Sequence, residues 1–282
     1  MNEYIFSPLR YPGGKARIYK ELVKIIEKNK LSNYTYIEPY AGGSGLALAL
    51  LFNSKVKKIH LNDLDRSIYA FWYSVLYNTE ELVKLIINVE VTIEERERQK
   101  VIQANKGNED LLALGFSTLF LNRTNRSGII KAGVIGGKEQ SGSYKLDCRF
   151  DKVELIRRIT NISKYKTRIS ISNNESMDLI NSLIGTKNTF LYLDPPYYNK
   201  GPELYMNYFK HNDHEELSSY LSKLRIKHIV SYDDCNEIRK LYHGYKYRTY
   251  TLNHNVSNKG KGKEIMFFSK WLKIPDNIFI KK

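Results

Sequence analysis

Short apolar runs and the turns between them divide this chain into four blocks. In the first, residues 1–72, Tyr34-Thr-Tyr-Ile37 is apolar and rich in β-formers and predicts a short strand. A glycine-rich turn follows, and small apolar residues predict a helix at Leu46–Leu51. Lys58-Ile-His-Leu61 predicts a second strand, ending in Asn62-Asp63. Strand, turn, helix, strand is the opening of a Rossmann-like sheet. The third block returns to this pattern, with a strand at Thr167–Ile171, a helix at Ser176–Leu183 and a buried strand at Phe190–Leu193. The last block predicts a helix at His214–Leu224 and a strand at His228–Tyr232. Two final strands, near Tyr245–Leu252 and Glu264–Phe268, flank a Lys/Gly loop and predict an antiparallel hairpin closing the sheet.

The second block, residues 73–158, has few strand patterns. Thr92–Gln103 reads as a charged helix, Leu111–Leu121 as an apolar helix or buried segment, and Val153–Thr160 as a helix. Asn122–Tyr144 is rich in Gly, Arg and Lys. From Arg96 to Arg158 there are 13 basic and 7 acidic residues, a net of +6. The expected architecture is therefore α/β: a Rossmann-like sheet domain built from 1–72 and 159–282, interrupted by a mainly helical insert at 73–158.

Composition narrows the function. Hydrophobic residues make up 42% of 282, which excludes global disorder. Lysine and arginine total 45 against 30 acids, a net of +15 that points to a polyanionic partner. Two cysteines, Cys148 and Cys235, form no CxxC pair, so neither a disulfide framework nor a thiolate zinc cluster is expected. His211 and His214 lie three apart without further ligands, so no metal is expected. No stretch reaches transmembrane length, and the first residues lack a signal-peptide apolar run. The expectation is a soluble protein of a reducing cytoplasm.

Three motifs carry chemistry. In Tyr36-Ile-Glu-Pro-Tyr-Ala-Gly-Gly-Ser-Gly45 a strand delivers an acid, and a glycine turn then lets a nucleotide or nucleoside approach the backbone. The turn is neither GxGxxG nor a P-loop, which favours a nucleoside cofactor over a nucleoside triphosphate. Asp63, at the end of the second strand, suits ribose hydroxyls, although Asp63 or Asp65 also suits a helix N-cap. Leu191-Tyr-Leu-Asp-Pro-Pro-Tyr197 places Asp194 at the carboxyl end of a buried strand, before a rigid turn of Pro195 and Pro196. The Asp194 carboxylate and the Pro195 carbonyl together suit the two hydrogens of one amino group. Tyr197 offers a flat face for a base.

Arg10-Tyr-Pro-Gly-Gly-Lys15, Glu38-Pro-Tyr-Ala-Gly-Gly-Ser-Gly45, Asn62-Asp63 and Asp194-Pro-Pro-Tyr197, in this order, resemble the DNA adenine methylase family. The resemblance covers most of the chain and is thinnest in the insert. It implies transfer of a methyl group from S-adenosylmethionine to the amino group of a flipped adenine in double-stranded DNA. It also implies a prokaryotic or phage-type, nucleoid-associated protein, with a cognate restriction endonuclease as partner where such a system exists. By the same resemblance, Asp194, Pro195, Pro196 and Tyr197 form the catalytic motif. Tyr11, Lys15, Glu38, Tyr40, Ala41, Gly42, Gly43, Ser44, Asp63, Asn174 and Asp194 surround the cofactor, with Lys15 meeting its methionine carboxylate. Ser44 stands where the family usually has glycine, and Asn174-Glu175 where it often has Asp-Phe.

In the insert, Arg123, Asn125, Arg126, Lys131 and Lys138 are residue types that read base edges or hold phosphates; at the hairpin tip, Lys259 and Lys261 suit phosphates. Family members acting on cytosine more often carry Ser in place of Asp194, so Asp favours adenine. The alternatives are amino-methylation of RNA or cytosine, and a basic DNA-binding protein with a dead methyltransferase fold.

Overall fold

The computed structural model describes residues 6–11, 14–199, 209–253 and 261–279. Five parallel strands form the body of one sheet: β1 (Thr35–Glu38), β2 (Lys58–Asn62), β3 (Ile169–Ser172), β4 (Thr189–Leu193) and β5 (Lys227–Asp233). β6 (Lys246–Asn253) and β7 (Lys261–Phe268) close it as an antiparallel hairpin, with β7 beside β5. The order is β3-β2-β1-β4-β5-β7-β6.

The strands read as near-continuous apolar runs because both faces of the sheet are covered. Alternation of side chains divides the core in two. Tyr36, Phe190, Tyr192 and Ile229 pack on one face with α1 (Tyr19–Lys28) and α2 (Gly45–Phe52). Ile37, Leu191, Leu193 and Val230 pack on the other with α8 (Ser176–Ser182) and α9 (His211–Lys223).

The segment between β2 and β3 holds α3 (Arg66–Tyr77), α4 (Thr79–Asn88), α5 (Ile93–Ala104), α6 (Leu111–Thr124) and α7 (Lys152–Ser163), with a short turn at Arg126–Gly128, an isolated bridge between Asn125 and Val134, and an irregular stretch at 129–151. α6 lies against α3 so closely that a Cβ at Gly115 would stand 2.5 Å from the Ala70 carbonyl oxygen. Leu119, Phe120 and Leu121 of α6 share one hydrophobic cluster with the sheet residues Tyr36 and Phe190. The helical segment thus shares part of its core with the sheet, and residues 72/73 and 158/159 lie inside α3 and α7.

Other differences are local. Residues 167 and 168 belong to a 3-10 turn, Lys166–Arg168, and not to β3, because the Arg168 guanidinium is drawn to the Val56 and Lys57 carbonyls. α9 starts at His211, three residues early, where the Lys210 amide donates to the Asp213 carboxylate. Helix α1, helix α4 and α10 (Asn236–Leu241) were not among the expected elements, although Leu22, Ile25 and Ile26 of α1 and Leu82 and Ile86 of α4 recur at helical spacing.

Candidate active site

The strand order makes a crevice. The chain runs outward from β1 to β2 and β3, then returns to place β4 on the other side of β1. Connections leaving β1 and β4 therefore diverge, and ligands of open α/β sheets bind at the carboxyl ends beside that point. Glu38 ends β1 there, and Asp194 follows β4.

The glycine turn after β1 is held from three sides. The Ala41 amide donates to the Asn62 carbonyl at 2.8 Å, and the Gly42 amide to Asp63 Oδ2 at 2.9 Å. From below, Trp72 Nε1 donates to the Gly42 carbonyl at 3.0 Å. From above, the Tyr11 ring covers the turn: a Cβ on Gly42, whose φ is +46°, would meet that ring at 2.8 Å. Ser44 occupies the left-handed region (φ 47°) and ties its hydroxyl to the Ala41 carbonyl, which explains the family's usual glycine here.

Asp63 accepts a second amide, from Asp65, and Asp65 caps α3 through the Ser67 amide. Burial lifts the Asp63 carboxyl to about 7 against the pull of the Gly42 and Asp65 amides. Buried Asn62 stitches the loops together, donating to the Pro39 and Asn174 carbonyls and accepting from the Asn174 amide. Asn174 is thereby fixed by its backbone while its side chain is exposed. Nearby, Tyr40 bonds Ser176 through its hydroxyl at 2.8 Å and meets the Phe209 ring edge-on at 5.9 Å.

Charge is concentrated at Lys15, on the 3-10 turn Lys15–Ile18. Its Nζ lies 2.8 Å from Asp194 Oδ2, 2.7 Å from the Tyr197 hydroxyl and 3.6 Å from Glu264 Oε2. Burial alone would lower the Lys15 ammonium, yet Asp194, Tyr197 and Glu264 together hold it well above its usual value. For Asp194, burial raises the carboxyl, Lys15 pulls it back and Glu264 adds to the rise. Burial also lifts Glu38, with Asp194 adding to the rise, to about 8; the Tyr36 hydroxyl bond at 3.0 Å opposes it.

Lys15, Tyr197 and the two prolines are all buried in or beside this cluster. Lys15 faces Asp194 and Tyr197. Tyr197 is 3% exposed and presents its hydroxyl to the cluster instead of a face to solvent. Pro195 and Pro196 are buried, and the turn they make is pinned at its exit by Asp233, which accepts from the Tyr198 and Asn199 amides.

The motifs that the sequence spread over residues 11–197 thus meet at the carboxyl ends of the central strands, and a family model matches residues 11–257. The chain belongs to the D12 class N6 adenine-specific DNA methyltransferases. It is 23% identical over 275 residues to the Type II methyltransferase M.MjaIII of Methanocaldococcus jannaschii, spanning 89% of this chain and 93% of that protein. It is also 25% identical over 215 residues to the modification methylase StsI of Streptococcus sanguinis, 69% of this chain and 29% of that one. Among solved structures, PH1948 of Pyrococcus horikoshii aligns over 93% of this chain and 87% of its own, with 9% identity and a TM-score of 0.45.

For a member of a DNA methyltransferase family, the placement of basic residues matters. Arg126, Lys131 and Lys138 line one cavity of about 540 Å³ in the helical insert, together with Arg96, Lys100 and Lys106. Arg123 and Asn125 do not join them. The Arg123 guanidinium turns inward to the Pro8 carbonyl, and burial, with Arg158 and Arg10 near, lowers it to about 9. Asn125 is fully buried: its amide oxygen accepts from Arg96 and its nitrogen donates to the Ile130 carbonyl at 2.7 Å. Lys259 lies outside the described residues, and Lys261 opens β7 opposite Asn253. Among the described residues no group of His, Cys, Asp or Glu is arranged to hold a metal ion, and no helix is long and apolar enough to cross a membrane.

The segment Ile229-Val-Ser-Tyr-Asp233 also resembles the family, but sequence reasoning assigned no role to Ser231, Asp233 or Glu264. Ser231 donates to Asp194 Oδ1 at 2.8 Å, and Tyr192 donates to Ser231 in turn. The signal for Ser231 and Asp233 was polar residues at the carboxyl end of an apolar strand. Glu264 needed the register of the hairpin, which pairs it with Asp233 and Tyr250.

Proposed function

We propose that this chain is a site-specific DNA methyltransferase that moves a methyl group from S-adenosylmethionine to the exocyclic amino nitrogen of a flipped adenine. One observation carries the reading. Asp194 and Glu264 face the single ammonium of Lys15, and Glu38 feels both Asp194 and Lys15, inside a chain of net charge +15. An anionic crevice favours a sulfonium and the ammonium that develops on the adenine nitrogen. A basic exterior favours DNA.

The residues present fit that cofactor, which when bound supplies a methyl group already activated by its sulfonium. Each Asp63 oxygen accepts one backbone amide and keeps a lone pair for a ribose hydroxyl. Tyr40 and Phe209 offer an aromatic wall, and the exposed Asn174 amide offers hydrogen bonds to an adenine ring. Ser231 and Lys15 take one lone pair from each Asp194 oxygen. The remaining acceptor capacity of Asp194, with the Pro195 carbonyl, receives the two amino hydrogens and turns the nitrogen lone pair outward. Stacking of the base on Tyr197 requires that ring to be uncovered when DNA binds. The insert cavity lined by Arg126, Lys131 and Lys138 takes the DNA backbone. A restriction endonuclease of matching specificity is the partner we propose, in keeping with the names of the two relatives.

The test is to incubate the protein with duplex DNA and methyl-labelled S-adenosylmethionine, then digest the DNA to nucleosides. Label on N6-methyladenine is expected. Label on cytosine, on RNA in competition, or on no nucleoside contradicts the reading.

A further inference from the structure

Glu264 is 1% exposed on β7, and both its oxygens are occupied. Oε1 accepts from the Tyr197 hydroxyl at 2.6 Å, and Oε2 from the Tyr250 hydroxyl at 2.8 Å. A phenol carries one hydrogen, and an ammonium only donates. Since Lys15 donates to the Tyr197 oxygen, the Tyr197 hydrogen must go to Glu264. The bond directions are therefore fixed from end to end. Lys15 feeds Tyr197, Tyr197 feeds Glu264, and Lys15 also feeds Asp194. From the other side Tyr192 feeds Ser231, which feeds Asp194. Two carboxylates thus share one buried cation, and each is an acceptor at the end of a donor chain.

We propose that Glu264 is a positioning residue for methyl transfer: it draws Lys15 and the Tyr197 hydroxyl towards β7, so that Asp194 keeps acceptor capacity for the target amino group. This rests on reading Asp194 as the acceptor of that amine. A strut for the hairpin would need only Tyr250, which faces Glu264 across the β6–β7 ladder. The bonds to Tyr197 and the closeness of Lys15 instead reach across the sheet to the strand-end motif and the N-terminal segment.

Glutamine at 264 keeps the shape and loses half the acceptors. Its amide nitrogen opposes either a phenol or the Lys15 ammonium, donor against donor. Lys15 then settles wholly on Asp194 and competes with the substrate amine. No atom of Glu264 is assigned to the cofactor, so cofactor affinity should change less than the rate, through the charge of the crevice alone.

The experiment uses the full chain carrying Glu264→Gln, with thermal unfolding, calorimetry of S-adenosylmethionine binding, and single-turnover methylation of duplex DNA. Cofactor affinity is expected to stay within about threefold while the single-turnover rate falls about tenfold or more. In a Tyr197→Phe background, where the relay is already cut, Glu264→Gln should add less than about threefold. If Glu264→Gln does not fold, Tyr197→Phe alone decides: it keeps the ring and removes the relay, and a wild-type rate overturns the proposal. Full additivity of the two substitutions, or a wild-type rate in Glu264→Gln, also overturns it. A wild-type protein that methylates no adenine overturns the underlying reading and this inference with it. A methylating wild type matched by both variants overturns the inference alone.

Discussion

Lys15 and Asp194, 179 positions apart, meet as a largely buried ion pair at 2.8 Å, the lysine enclosed and the carboxylate 23% exposed. Removing one partner of such a pair leaves an uncompensated charge, at a cost of about 3–5 kcal/mol. Lys15→Met should lower the unfolding temperature accordingly. It should also act on the pH profile. Burial raises the Asp194 carboxyl and Lys15 opposes the rise, so losing Lys15 raises it further. The ionised carboxylate is the acceptor, so the acid limb of the methylation rate should move to higher pH. An unmoved limb would separate Lys15 from Asp194.

Glu38 and Asp63 should make S-adenosylmethionine binding a proton-releasing event. Both carboxyls are lifted by burial, to about 8 and about 7, so at pH 7 Glu38 is mostly protonated and Asp63 about half. A nearby cation and ribose hydroxyl donors favour their ionised forms. Calorimetry at pH 7 in buffers of different ionisation enthalpy should show proton release that vanishes at pH 9. The same shifts give the apo-protein stability that is present below the ordinary carboxylate range and is lost as pH rises through 7 and 8. Glu38→Gln should flatten part of that decline.

The parallel sheet was legible because a strand buried on both faces needs an apolar run, and Phe190–Leu193 is one. Asp194 was legible because it ends that run. What depended on distant packing was not. The fit of α6 on α3 at Gly115, the inward turn of Arg123 to Pro8, and the pairing of Glu264 with Tyr197 all join residues far apart in sequence. An arginine beside glycines looks solvated in a sequence. Here its guanidinium satisfies a backbone carbonyl, and no local pattern announces that.

Gly42→Ala should loosen the cofactor turn. The left-handed backbone and the Tyr11 ring at 2.8 Å both oppose a methyl group. The left-handed conformation alone costs about 1–2 kcal/mol. S-adenosylmethionine affinity should fall, and Tyr11→Ala in the same chain should relieve the steric part only. Calorimetry of the single and double variants checks this; equal affinity in wild type and Gly42→Ala would contradict it.

Arg123 and Arg126 should separate cleanly. Arg123→Ala strips a partner from the Pro8 carbonyl and should destabilise the fold by about 1–3 kcal/mol. Arg126→Ala, at an exposed residue on the cavity wall whose guanidinium reaches the Val134 carbonyl at 3.3 Å, should cost less stability than Arg123→Ala and weaken DNA binding with a shallower salt dependence. Unfolding curves and binding titrations at two salt concentrations tell them apart. The reverse assignment of effects would move the DNA contact to Arg123.

The most direct test of the account is single-turnover methylation by Asp194→Ala, run beside a cofactor-binding titration. If Asp194 orients the amino group, the variant should bind S-adenosylmethionine and form N6-methyladenine about 10²–10³-fold more slowly, as for loss of other oriented polar groups. Wild-type turnover by Asp194→Ala would contradict the account.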